Sequence, residues 1–209
     1  MDRNRFRRIA VRAAAGVALL LTIMALLVCG ELRRTQKETD ALLSDLFTAY
    51  VHNVPDSGPG RSFQIVIMRE SQSPGTRPGH EPRVRWNMLF DDQLRFPQAS
   101  LVTRGSFLLT NAVPTEIRVK LRLPKGVESA SSSKSELDHM TSSDFIRRFP
   151  DNPSWDIFSI SRPGFNFSRT EAILYYDHSG PGSAGGGYIL ARKVNGVWRI
   201  AEDRATWMY

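Results

Sequence analysis

An uncharged apolar run follows the first twelve residues. Residues 13–30 carry no charge, and about 20 helical residues suffice to cross a bilayer core of about 30 Å. Beyond it, Leu32, Leu42, Leu43, Leu46, Phe47 and Tyr50 recur at helical spacing, which predicts an amphipathic helix over 31–52. Thr39 or Asp40 is placed to cap its apolar part, residues 35–37 to link it to the preceding run, and the prolines at 55 and 59 to end it. Residues 63–68 read as a strand, 70–82 as a polar loop, and 83–90 as a strand or short helix. The pattern over 101–110 suits a helix or a strand equally. Over 116–123 Ile117, Val119, Leu121 and Leu123 alternate with charges, the mark of a half-solvated antiparallel strand. Residues 125–135 are serine-rich and read as a loop. Ser142 or Ser143 is placed to cap a short helix carrying Phe145, Ile146 and Phe149, which Pro150 stops.

The last fifty residues are the best specified. Asn195-Gly196 lies between two β-rich runs, and a type I′ hairpin turn needs residues that tolerate positive φ at both central positions. Before the turn Tyr188, Leu190 and Arg192 share one face, and Ile189, Ala191 and Lys193 the other. After it Trp198 and Ile200 share a face expected to be buried. Residues 170–178 supply a third strand through a glycine-rich connection at 179–187. The expected fold class is α+β: an N-terminal transmembrane helix, then one domain with an antiparallel sheet packed by the 39–52 helix. That order is reminiscent of the cystatin-like and nuclear-transport-factor-like cones, a fold-level likeness that carries no activity.

The series Ser161-Arg-x-Gly164-Phe-Asn166, the strand from Ala172, the glycine connection, Lys193-x-x-Gly196-x-Trp198 and the terminal Trp207 resemble a bacterial family of uncharacterised proteins. The likeness is firm over roughly 145–209. In that family the connection reads close to Cys-Gly-x-x-Cys-Gly-x-Gly, whereas here Ser179 and Ser183 stand in the cysteine positions. Whatever metal or disulfide role those cysteines have is therefore missing from this chain. The resemblance implies an extracytoplasmic location and no known activity.

Charge sharpens the membrane reading. The net charge is +7, and the first twelve residues, with five arginines against Asp2, hold four of those charges. A cationic tail before an apolar run orients it with the N-terminus in the cytoplasm. Neither a basic stripe nor a nucleic-acid motif follows, so no nucleic acid is expected as a partner. The expected organisation is a cytoplasmic tail at 1–12, a signal anchor at 13–30 that contacts the lipid bilayer, and an extracytoplasmic domain at 31–209, with the protein in the inner membrane. Two alternatives stand beside it: a signal peptide cut after Gly30, giving a secreted domain, and acylation of Cys29. Cys29 is the only cysteine, so no intramolecular disulfide or cysteine metal cluster forms.

Candidate chemistry is sparse. Gly180-x-Gly182-x-x-Gly185 matches the dinucleotide fingerprint, but a strand rather than a helix is expected to follow it, and no βαβ unit is expected in the chain. The motif reads instead as a flexible or tightly turned connection, with an anion nest of exposed backbone N–H groups as the alternative. Ser131-x-x-Lys134 has the spacing of penicillin-interacting enzymes without their companion motifs. His52, His80, His139 and His178 show no metal-ligand spacing. Asn166-Phe-Ser168 is a glycosylation sequon, meaningful only in a eukaryotic secretory host. Trp86, Trp155, Trp198 and Trp207 read as core anchors. The candidate ligand-binding residues are Asp177, His178, Ser179, Gly180, Gly182 and Gly185, with no catalytic residue, no metal and no cofactor assigned. The function expected is a non-catalytic envelope binding or interaction module. The alternative is a small hydrolase in which Asp177 or His178 converges with a distant partner such as Asp138, His139 or Arg162.

Overall fold

The computed structural model describes residues 3–53, 63–68, 96, 98–112, 116–133, 144, 147, 155–180 and 183–208; of residues 3–21, 63, 64, 155, 183 and 207 it describes the backbone. Helix α1 runs Arg3–Asn53. The chain divides into two units, Met1–Glu38 and Thr39–Tyr209. In the first unit, Ile23, Met24, Leu26, Leu27, Val28 and Leu32 are all exposed. Among the described residues no helix is long and apolar enough to cross a membrane. Half of the 13–30 run lies outside the residues whose side chains are described.

The second unit is α+β, with a mixed seven-stranded sheet. Its strands are β1 (Phe63–Met68), β2 (Val127–Ser132), β3 (Trp155–Ile160), β4 (Gly164–Phe165), β5 (Glu171–Gly180), β6 (Ser183–Val194) and β7 (Val197–Met208). The order is β2-β1-β3-β5-β6-β7, with β4 beside β5. The expectation of a purely antiparallel sheet is corrected here. β1 pairs in parallel with both β2 and β3. Ile65, Val66 and Ile67 are consequently buried in succession, as a strand covered on both faces requires. Helix α2 (Leu101–Thr110) lies in the chain between the parallel strands β1 and β2, a βαβ unit where none was expected, though far in sequence from the glycine motif.

One face of the sheet packs on α1 and the other on α2. Leu42, Leu43, Leu46, Phe47 and Val51 of α1 form one core with Ile65, Ile67, Phe158, Ile160, Leu174, Ile189 and Trp198. Phe107 and Leu108 of α2 form a second with Phe96, Ile173, Tyr175, Tyr188 and Leu190. The alternation along β5 and β6 places successive residues in opposite cores. Gly164 sets the closeness of α2: a Cβ there would overlap the backbone N and Cα of Phe107. Ser100 caps α2, its hydroxyl accepting from the Thr103 N–H. Glu171 joins the cap, accepting from the Ser100 N–H at 2.9 Å and the Thr103 hydroxyl at 2.6 Å.

Several local expectations need amendment. Residues 35–40 are interior helix, so neither a linker nor a cap forms there; instead Asp40 accepts from the Lys120 N–H and Ser44 Oγ from the Arg122 N–H. Those bonds explain why 117–123 is not a ladder strand although Ile117 is buried and Val119, Leu121 and Leu123 pack on the α1 core. Its backbone donors go to a helix. The serine-rich stretch contains β2, held by its pairing with β1. Asn195 and Gly196 adopt φ of 52° and 83°, the expected turn. Trp198 is buried but Ile200 is 47% exposed, beside a bulge that interrupts the β6–β7 register at Leu190/Ala191. The strand or helix expected at 83–90 and the loop at 70–82 lie outside the described residues, as does most of the helix expected near 145–149.

Candidate functional site

The expected glycine loop is mostly strand. His178 pairs with Gly185, Asp177 with Gly186, Tyr176 with Gly187, and Gly180 with Ser183. Gly185, Gly186 and Gly187 are buried. A Cβ on Gly187 would run into the Arg204 carbonyl, where a bulge brings β7 close. Gly187 is thus required by strand packing, and of the connection for which an anion nest was the alternative, residues 183–187 belong to a ladder. Gly182 lies outside the described residues, and Ser179 is exposed on β5.

Being adjacent on a strand, Asp177 and His178 face opposite sides. Asp177 accepts from the Tyr175 hydroxyl at 2.7 Å, on the α2 side. His178 lies on the α1 side, its ring stacked at 6.0 Å from Phe158 and 6.2 Å from Tyr176. Asp138 and His139 fall outside the described residues. The Arg162 N–H donates to Asn111 Oδ1.

The side chains that gather around His178 come from four elements. Tyr50, in the last turn of α1, donates its hydroxyl to Asp156 on β3. Tyr176 on β5 reaches over Gly187 to Asp203 on β7, with its hydroxyl 3.3 and 3.4 Å from the two carboxylate oxygens, a weak bond at that length. Tyr50 and Phe47 each meet Phe158 edge-on, at 5.2 and 4.9 Å. Burial foremost, and then the neighbouring carboxylate, raise the Tyr50 and Tyr176 hydroxyls well above the usual phenol range. Both therefore stay protonated and act as donors. Burial raises Asp156 and Asp203, opposed by the tyrosine bonds and by the charge of His178. Asp203 sits on the exposed edge strand, where solvent screens its interactions more than those of buried Asp156.

This end of the sheet is an aromatic and acidic cluster around one imidazole. Among the described residues His178 makes no hydrogen bond to either carboxylate, and no group of three or more His, Cys, Asp and Glu side chains is placed to hold a metal ion. The arrangement offers charge and π faces rather than an oriented base and nucleophile. Of its members, only His178 is among the candidate ligand-binding residues that the sequence offers. The available signal was Asp156, an acid on the same strand face as Phe158 and Ile160. The sequon asparagine is structural: Asn166 Oδ1 accepts from the N–H groups of Thr170 and Glu171, and its amide donates to the Thr170 hydroxyl. No family model matches the chain, and neither a curated protein nor a solved structure matches it significantly.

Proposed function

We propose that the chain is a single-pass envelope protein, anchored with its N-terminus in the cytoplasm, whose extracytoplasmic α+β unit is a non-catalytic binding or interaction module. The observation that carries the reading is the surface of α1 between 22 and 32. Ile23, Met24, Leu26, Leu27, Val28 and Leu32 are exposed and spread over most of the helix circumference. A helix that is apolar all round needs an apolar surrounding, and in the sequence the uncharged run reaches back through 13–21 toward the arginine-rich tail. The binding end is the cluster of Tyr50, Asp156, Tyr176, His178 and Asp203. Its negative charge and aromatic faces suit a cationic group on a partner, and the C-terminal end of α1 adds partial negative charge beside them.

The test is fractionation of the full chain with an alkaline carbonate wash and intact-mass analysis. An uncut protein that stays in the pellet until detergent is added supports the anchor. A soluble species beginning at Glu31 refutes it and makes the domain a secreted one; a species beginning at an acylated Cys29 replaces the helix anchor with a lipid.

A further inference from the structure

The opposite end of the same sheet, from the β4–β5 turn to the β6–β7 hairpin, carries an aromatic side chain held out in solvent. Phe167 is 86% exposed, yet the turn that presents it is heavily braced. Asn166 N–H donates to the Glu171 carbonyl and Arg169 N–H to the Asn166 carbonyl. The Asn166 side chain spans the turn with three further bonds, and Ser168 and Thr170 hydroxyls meet at 2.9 Å. Arg169 is buried in the left-handed region at φ 54°, a conformation that a non-glycine residue adopts only where its surroundings impose it. The Lys193 N–H donates to the Thr170 carbonyl and ties this turn to the neighbouring hairpin. There Val194 and Val197 are also exposed, at 48% and 44%.

The charge around these apolar residues is positive. Lys193 holds its ammonium 5.0 Å above the Trp198 ring, and Arg199 is exposed. Two acids at this end are engaged inward: Glu171 with α2 and Arg192, and Asp45 with the Trp198 N–H. Asp45 also shows that the early turns of α1 within this unit lie at this end, whereas Tyr50 lies at the other. Only residues 31–38 separate the apolar run from the start of the unit at Thr39.

We infer that the tip formed by Phe167, Val194 and Val197, flanked by Lys193 and Arg199, docks on an anionic lipid surface. The inference rests on the anchored reading above and adds a second, shallow contact to it. A rigid aromatic enters the headgroup–acyl boundary without loss of conformational freedom on binding, and basic side chains beside it are drawn to anionic headgroups within a Debye length. The contact would fix the unit's orientation and leave the His178 end facing away from the bilayer, toward partners.

The test uses the full chain with Cys29→Ser and Phe167→Cys, spin-labelled at 167 and reconstituted in phosphatidylcholine vesicles containing a minority of phosphatidylglycerol. Accessibility of the label to oxygen, which concentrates in lipid, is compared with accessibility to a water-soluble nickel chelate. The same labelling at Met208, exposed at the far end of β7, serves as the reference. The expected oxygen-to-nickel ratio is several-fold higher at 167 than at 208, and falls toward the reference when phosphatidylglycerol is omitted or when Lys193→Gln and Arg199→Gln are combined. Equal ratios at the two sites overturn the inference, and would direct Phe167 to a protein partner instead. A carbonate wash of the same vesicles separates the two readings. Retention with a water-facing label sinks the docking surface alone, while extraction of a chain whose label is lipid-facing sinks the anchor alone.

Discussion

Replacing Gly164 by alanine isolates the packing of α2 on the sheet. The added Cβ would overlap the backbone N and Cα of Phe107, and no rotamer change can move a backbone atom. Helix and strand must separate instead, loosening the core that holds Phe107, Leu108, Ile173, Tyr175 and Tyr188. Overpacking of a tight core costs about 1–3 kcal/mol, and an obstacle made of backbone belongs at the upper end. Glycine-to-alanine replacement without strain would stabilise by about 0.4–1 kcal/mol through the unfolded chain. The balance is a loss of about 2 kcal/mol, or about 4–8 °C in Tm for a unit of this size. The assay is urea unfolding followed by far-UV circular dichroism in matched detergent. A lower midpoint with an unchanged slope is expected. A variant with wild-type or higher stability would refute the close approach of α2 to β4, and with it the placement of the second core.

Two further variants test electrostatics. Glu171 is held below the usual carboxylate range: burial opposes the shift, but bonds from Thr103, Ser100 and Arg192 outweigh it. Its stabilising contribution is therefore present above the unfolded pKa and lost as pH falls through the lower folded value. Glu171→Gln should cost about 1 kcal/mol at neutral pH through the lost ion pair and helix-terminal charge, and its deficit relative to wild type should shrink on acidification. An identical deficit at all pH values in a denaturant titration would count against the shift. Asp156 has the opposite sign. Burial raises it, so its contribution is fully present below the unfolded carboxylate pKa and lost as pH rises through the folded value. Asp156→Asn keeps an acceptor for Tyr50 and should gain on wild type as pH increases from about 4, read from paired thermal melts; a constant difference would contradict a desolvated carboxylate.

How much of this was legible depends on what kind of pairing the residues must encode. The β6–β7 hairpin is written locally, since Asn195-Gly196 demands its turn and alternation assigns its faces. The buried stripe of α1 was equally plain in Leu42, Leu43, Leu46 and Phe47. Parallel pairing leaves no such local mark: Phe63–Met68 reads as a buried strand whichever way its neighbours run. The serines of β2 have weak strand preference, and only β1 beside them makes that segment extended. Residues 117–123 show the reverse case, a clean alternation whose donors are captured by Asp40 and Ser44 on a helix. At the His178 end, Asp156, Asp203 and Tyr50 lie about 20 to about 130 residues away in sequence. Nothing in the spacing of Tyr50, Asp156 and Asp203 announces that they meet.

The parallel pairing of β1 with two strands distant in the chain governs the order in which the unit can be assembled. Its two partners begin at Val127 and Trp155, so both pairings close long loops, while β5, β6 and β7 join through short connections. Local meanders form before distant parallel strands, because loop closure must precede any gain from the long-range contacts. On a chain delivered from its N-terminus, α1 and β1 emerge first and wait with their apolar faces uncovered until Phe158, Leu174 and Trp198 arrive. The C-terminal third is then the template on which the earlier elements are laid down, and a truncation that removes β6 and β7 should leave an aggregation-prone chain rather than a smaller folded one.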